Sequence, residues 1–417
     1  MGNNLGRWVK KGSWTLLDKG LFGLSNFFLN ILMARWLTPQ DYGAFTLFYG
    51  LFWFVGSFHT AFLIEPLLVF GPGHYKERLP EYLGSLLYVH FGLTLPASLL
   101  CALAALGIRR SNPYLVAPLI AIALSGPFIL LLWLMRQACY VRMEPELAAI
   151  AGTLFTILIL LGAFVMNQHQ WLSTAAAFYV MGISSFVVGL WLATRLRIDL
   201  VASAQRALIR EVSVQHWQFG RWSVATQGLM IAPENIFALA LTAWGGLEAN
   251  AALNALRNLN MPIARVNIAL SSLLVPKLVQ VREQPQFMQT VRIALACFTI
   301  GPTVSWLLLG LLHRPIVLWL YEGNYQEYAP LIWVLGIGPI LGGILVVLNC
   351  ALRSLELPQK VFQAFCLFTP ITLILTLALI RIKGMPGAVF GLALSPILEV
   401  AVLALMFLQA YRKKSVR

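Results

Sequence analysis

The stretch ARWLTPQDYGAFTLF, Ala34 to Phe48, separates two strongly apolar runs. Its centre, Thr38-Pro39-Gln40-Asp41, has the residues of a turn. The pattern predicts two long apolar helices joined by a tight hairpin. Arg35 and Trp36 anchor the end of the first helix, Pro39 and Asp41 turn and cap the chain, and Gly43 permits close packing. That role is structural, and the fold follows from repeating the motif outward.

The whole chain has the same character. Of its 417 residues 59% are hydrophobic and 11% charged, with a mean hydropathy of +0.77. A soluble globular chain carries about 25% charged residues, so this one needs an apolar solvent. The apolar runs predict about twelve membrane-spanning helices. They lie near residues 13–37, 42–70, 83–107, 114–135, 147–166, 172–194, 219–243, 247–275, 289–312, 328–352, 361–382 and 386–410. The first run is too long and too charged, with Asp18 and Lys19, to be a cleaved signal. Strands of a membrane barrel are not visible in the pattern.

The net charge of +14 would suggest nucleic acid in a soluble protein. Here the Lys and Arg residues concentrate in alternate loops, leaving only Arg35, Arg109, Arg110, Arg314, Arg381 and Lys383 on the other side. By the positive-inside rule both termini are cytoplasmic, and no nucleic-acid partner is expected. The five cysteines form no C-x-x-C pair, so neither a disulfide framework nor a metal site is expected.

The longest polar connection, RLRIDLVASAQRALIREVSVQHWQ from Arg195 to Gln218, falls near the midpoint. It reads as a cytoplasmic linker, in part an interfacial helix. The organisation expected is an N-terminal six-helix lobe over 1–194, a linker over 195–218 and a C-terminal six-helix lobe over 219–417. A short acidic turn recurs in each half, Asp41 in TPQDYGAF and Glu248 in GGLEANAA, as in duplicated transporters. The loops carry no Walker A, GxSxG or HExxH motif. No enzyme activity, cofactor or metal is therefore expected.

Polar residues inside apolar spans are costly and mark function or pairing. In the eighth span, Asn258, Arg265, Asn250 and Arg257 fall at about +40°, +20°, −40° and −60° from Asn254. They form one cationic, hydrogen-bonding stripe, with Pro262 as a kink. In the first span Lys19, Asn26 and Asn30 share a face with Thr15. In the seventh, Arg221 adds a cation. Glu234, after Pro233, reads either as a proton or Na⁺ site or as a counter-charge to Arg257 or Arg265. Asp18 reads as a charge partner of Lys19 or of another base, and with Glu234 forms the pair of candidates for ion coupling. His59 and His90 read as lone packing histidines.

The run ILMARWLTPQDYGAFTLFYGLF resembles the N-terminal region of Wzx-like polysaccharide flippases, in the multidrug/oligosaccharidyl-lipid/polysaccharide exporter superfamily, through Leu37, Asp41, Tyr42 and Gly43. The stretch from Ile316 to Phe362 is similar through Tyr321, Gly323, Tyr325, Ala329, Pro330, Leu331, Leu352, Arg353, Pro358 and Lys360. Glu322 departs from the family's usual Gly. The closing GMPGAVFGLALSPILEVAVLALM resembles the last helix, with Gly387, Ala388 and Gly391. The resemblance implies an all-α polytopic membrane protein with two six-helix lobes around a central cationic cavity. It implies alternating access that flips a polyprenyl-pyrophosphate-linked oligosaccharide across a bacterial inner membrane, for O-antigen, capsule or exopolysaccharide synthesis. Membrane lipid, H⁺ or Na⁺ and other polysaccharide-assembly membrane proteins are the further partners implied. A multidrug exporter of the same superfamily would want acidic residues in the cavity, and an integral-membrane polymerase would want a large outer loop.

Overall fold

The computed structural model describes residues 2–355 and 358–415; the Lys19 side chain lies outside the described residues. The opening hairpin joins α1 (Gly2–Trp36) to α2 (Pro39–His59). Thr38 is the cap: its Oγ1 accepts the Asp41 amide at 3.1 Å and donates to Asp41 Oδ2 at 2.8 Å. Pro39 occupies the first helical turn, where its missing N–H costs nothing. Asp41 stands at the third helical position and its carboxylate accepts from the cap hydroxyl. It also ties the hairpin to its neighbours, since Tyr114 Oη donates to its Oδ1 and Thr174 Oγ1 to its carbonyl.

After His59 the helix widens into a π-helical turn, Thr60–Ile64, and continues as α3 (Glu65–Phe70). Then come α4 (Leu79–Ile108), α5 (Val116–Val141), α6 (Pro145–Gln168) and α7 (Thr174–Arg195). α1 packs on α6, and α5 packs against α4 and α7. A short α8 (Leu200–Ser203) leads into the long α9 (Arg206–Asn258).

The stretch expected as a linker is thus largely helical, and it is docked. Leu208, Val212 and His216 recur at intervals of four and are buried. Tyr75 Oη donates to Glu211 Oε1 at 2.9 Å and to Gln215 Oε1 at 2.8 Å. Ser203 Oγ donates to the Glu81 carbonyl at 2.7 Å.

α10 (Met261–Val281), α11 (Phe287–Leu311), α12 (His313–Tyr321), α13 (Ile332–Leu335), α14 (Ile337–Ser354) and α15 (Pro358–Ser415) complete the chain. α14 packs on α10, α11 and α15. The apolar cluster there includes Leu278, Phe298, Val347 and Leu403. Two long helices bend at glycine: Gly246 in α9 has φ 85° and ψ 171°, and Gly384 in α15 has φ 58° and ψ −131°. Only glycine adopts these backbones without strain. The bends mark the turns expected between the seventh and eighth and the last two spans.

Among the described residues, ten helices are long and apolar enough to cross a membrane. One of them, Gln363–Arg412, contains two of the expected spans joined through Gly384. α10, which carries Arg265, Asn267 and Lys277, is not among the ten. Along α4 Leu99 and Leu100 are 61% and 68% exposed, an apolar surface suited to lipid. The chain is a multi-pass membrane protein. It comprises two compact units, Met1–Asn235 and Ile236–Arg417, and the boundary between them in the sequence falls within α9.

Candidate functional site

In the N-terminal unit α1 supplies a buried charge. Asp18 is 2% exposed and pairs with Arg136 of α5, whose Nη2 donates to Oδ1 at 2.5 Å. Tyr140, one turn on, donates to the other carboxylate oxygen at 2.5 Å. The Arg136 guanidinium also lies 4.2 Å from the centre of the Phe22 ring, a favourable cation–π geometry. Asp18 was expected to have a basic partner on its own helix or elsewhere; the partner is on α5. Both carboxylate oxygens hold protein donors, which is the arrangement of a satisfied buried pair.

Asn26 and Asn30 follow on the same helix. Asn26 Oδ1 accepts from Tyr49 Oη at 2.7 Å, and its amide donates to the Phe22 carbonyl. Asn30 Nδ2 donates to the Asn26 carbonyl at 2.9 Å. Asn26 is buried and Asn30 half-buried. Lys19, the fourth candidate here, lies outside the described residues.

In the C-terminal unit the expected stripe is divided. Pro262 has no N–H to give the Asn258 carbonyl, and the helix breaks at Leu259–Asn260. Asn250, Asn254, Asn258 and Arg257 are therefore on α9 and Arg265 on α10. Asn250 and Asn258 are buried, while Asn254 is half-buried and donates to both Asn250 oxygens at 2.9 and 3.1 Å. Tyr321 closes over this segment and donates to the Ala255 carbonyl at 2.8 Å. Arg257 and Arg265 are exposed. No carboxylate occurs in the sequence between Glu248 and Glu283. The stripe thus presents two exposed guanidiniums beside one half-buried amide, groups that bind anions and hydroxyls. Arg221 and Glu234 are both exposed on α9, in the N-terminal unit.

Two clusters escaped the sequence reading. His59 and His90, taken there as separate, are bonded to each other: His59 Nε2 lies 2.9 Å from His90 Nδ1, and His90 Nε2 lies 3.1 Å from the Pro127 carbonyl. The second cluster holds α9 to the π-helical turn. His216 Nδ1 donates to the Phe62 carbonyl at 3.0 Å, and Tyr82 Oη donates to Nε2 at 2.7 Å. Tyr75 stacks on Tyr82 with ring centres 4.2 Å apart. Burial pushes the His216 imidazole down to about 4, so it is neutral and accepts the Tyr82 proton. Burial, reinforced by the hydrogen bond to Glu211, holds the Tyr75 hydroxyl protonated well above the usual phenol range. Partners 31 and 134 residues apart leave no local signal in a sequence.

No protein-family model matches this sequence, and no curated protein matches it. Solved structures do. The inward-facing form of a multidrug resistance MATE family transporter of the MOP superfamily is 12% identical, with a TM-score of 0.77 over 96% of this chain and 98% of that one. The lipid II flippase MurJ, in an inward closed conformation, is 13% identical, with a TM-score of 0.75 over 94% of this chain and 87% of that one. A MOP superfamily transporter from Pyrococcus furiosus, described as having a binding pocket of reverse polarity that suggests a different function, is 13% identical, with a TM-score of 0.65 over 98% and 95%. At these identities the likeness is one of architecture, and the chain has the fold shared by MATE transporters and the MurJ flippase.

Proposed function

We propose that this protein is a membrane transporter that flips a polyprenyl-pyrophosphate-linked oligosaccharide from the cytoplasmic to the outer leaflet by alternating access. The setting is a bacterial inner membrane with both chain termini cytoplasmic, and the product feeds cell-surface polysaccharide synthesis. The observation that carries this reading is the pair Arg257 and Arg265, exposed around Asn254 in a segment without carboxylates. A pyrophosphate seeks guanidinium donors, which bind it with charge-assisted bonds, and sugar hydroxyls seek amides. Arg221, Lys19, Asn26 and Asn30 are the further candidates for the cargo. Glu234 is the candidate for ion coupling; Asp18 is weaker in that role, because Arg136 and Tyr140 occupy its carboxylate. The fold is compatible, since one of its members is a lipid II flippase.

A second reading, an ion-coupled multidrug exporter, is supported by the likeness to MATE transporters and by the exposed Glu234. Reconstitution separates the two. Liposomes carrying a polyprenyl-pyrophosphate oligosaccharide are exposed to an impermeant glycosidase, and the cleaved fraction is followed. Protein-dependent cleavage that collapses in the Arg257→Ala/Arg265→Ala double variant supports both function and site. Cleavage that survives the substitutions keeps the function and removes the site. Absence of cleavage, with and without an H⁺ or Na⁺ gradient, favours the exporter.

A further inference from the structure

The N-terminal unit contains a cavity of about 600 Å³ between α2, α4, α5 and the start of α9. Its volume is that of a small-molecule site. Phe48, Phe52, Phe58, Phe62 and Trp217 give it aromatic walls, and among the described residues no charged side chain lines it. None of the residues discussed as candidates for the proposed cargo lines it either.

His59 is part of the wall and only 7% exposed. The tautomers of the histidine pair follow from its hydrogen bonds. The Pro127 carbonyl can only accept, so His90 donates through Nε2. With no carboxylate at the cavity to hold an imidazolium, both rings are neutral. His90 Nδ1 is then an acceptor, and His59 donates to it through Nε2. The remaining nitrogen, His59 Nδ1, is an acceptor, buried and without a partner among the described residues. Of the other polar groups of the wall, Thr94 Oγ1 donates to the His90 carbonyl and Cys101 Sγ to that of Leu119, while the Ser98 hydroxyl is half-buried on α4.

An orphaned buried acceptor is rare and calls for an explanation. This one sits where two backbone irregularities converge. The π-helical turn begins at the next residue, Thr60, and Pro127, inside α5, removes one backbone donor from that helix. π-helical turns occur disproportionately at functional sites.

We propose that this cavity binds an uncharged apolar alcohol, whose hydroxyl donates to His59 Nδ1 and whose hydrocarbon part lies among the aromatic walls. A cation would enter without a carboxylate and an anion without a Lys or Arg to balance it, and both are costly. A hydroxyl on an apolar body supplies the single donor required. Nδ1 is covered by the wall, so seating the hydroxyl involves a small side-chain adjustment. Such an alcohol is available from the bilayer, as a glyceride, or as a free polyprenol.

The test uses the full chain in phosphatidylcholine nanodiscs, which offer no lipid hydroxyl. The probe is an octanol carrying a photoactivatable diazirine, compared with the same probe lacking the hydroxyl. Adducts of the alcohol are expected on the peptides carrying Val55–Phe62 and Leu93–Cys101. They should exceed those of the deoxy probe about fivefold, the ratio given by one net hydrogen bond of about 1 kcal/mol. His59→Phe should reduce the alcohol to the level of the deoxy probe. Ala97→Phe, which fills the cavity from α4 without touching the histidines, should abolish labelling by both. An excess of monoacylglycerol or of polyprenol should displace the alcohol, and whichever does so identifies the source. Equal labelling by the two probes, labelling that survives Ala97→Phe, or displacement by neither competitor would overturn the proposal.

Discussion

Removing the Asp18 carboxylate strands the Arg136 guanidinium in the interior of the N-terminal unit. Asp18→Asn is therefore expected to destabilise the protein by about 3–5 kcal/mol, the usual result of leaving one buried charge uncompensated. A thermal unfolding curve in detergent measures it. Replacing both partners, Asp18→Leu with Arg136→Met, should recover most of the loss, because the desolvation cost disappears with the charges. At the hairpin, Thr38→Ala removes the acceptor for the Asp41 amide and should cost about 1 kcal/mol in the same assay. The sequence makes Thr38 legible as a cap, since Thr-Pro-x-Asp before an apolar run is a local pattern. It announces Asp18 as a charge in need of a partner but cannot name Arg136, which stands 118 residues away.

The helices fail or hold at a few points. Gly246 and Gly384 have open space where a Cβ would stand, so substitution there meets backbone strain and no collision. Gly384→Ala is expected to cost about 1–3 kcal/mol, or to straighten the bend between the last two spans. Protease sensitivity near residue 384 and the melting temperature report the two outcomes. The docking of α9 is pH-dependent through His216. Its folded value of about 4 lies below the unfolded 6.5, so the contribution is complete above pH 6.5. It falls as the pH drops towards 4, where the undocked helix takes up the proton more readily. The total loss is on the order of 3 kcal/mol. Hydrogen exchange of residues 206–218 should accelerate below pH 6, and His216→Phe should flatten that dependence. The amphipathic spacing of Leu208, Val212 and His216 is visible in the sequence, whereas the surface it meets, Tyr75, Tyr82 and the Phe62 carbonyl, is not.

At the scale of the molecule, the asymmetry of Lys and Arg between alternate loops predicts both termini in the cytoplasm. Tags appended before Met1 and after Arg417 should be cleaved by an added protease in inside-out vesicles and protected in right-side-out ones. The sequence by itself determined the solvent, the all-helical class and the turns. These follow from apolar length, charge distribution and single Gly, Pro and Thr residues, all of which act over a few positions. It also brought the asparagines and arginines of the eighth span into view, because an intramembrane polar residue is conspicuous wherever it points. Only the tertiary structure decided which of them are consumed by packing. Asn250 and Asn258 turn inward while Arg257 and Arg265 stay exposed, a difference set by the break before Pro262 and by Tyr321 closing over α9. The histidine pair, the partner of Asp18 and the apolar cavity likewise belong to the fold alone. Each is made by side chains from different helices, and hydrogen bonding and packing at that distance in sequence exist only once the helices are assembled.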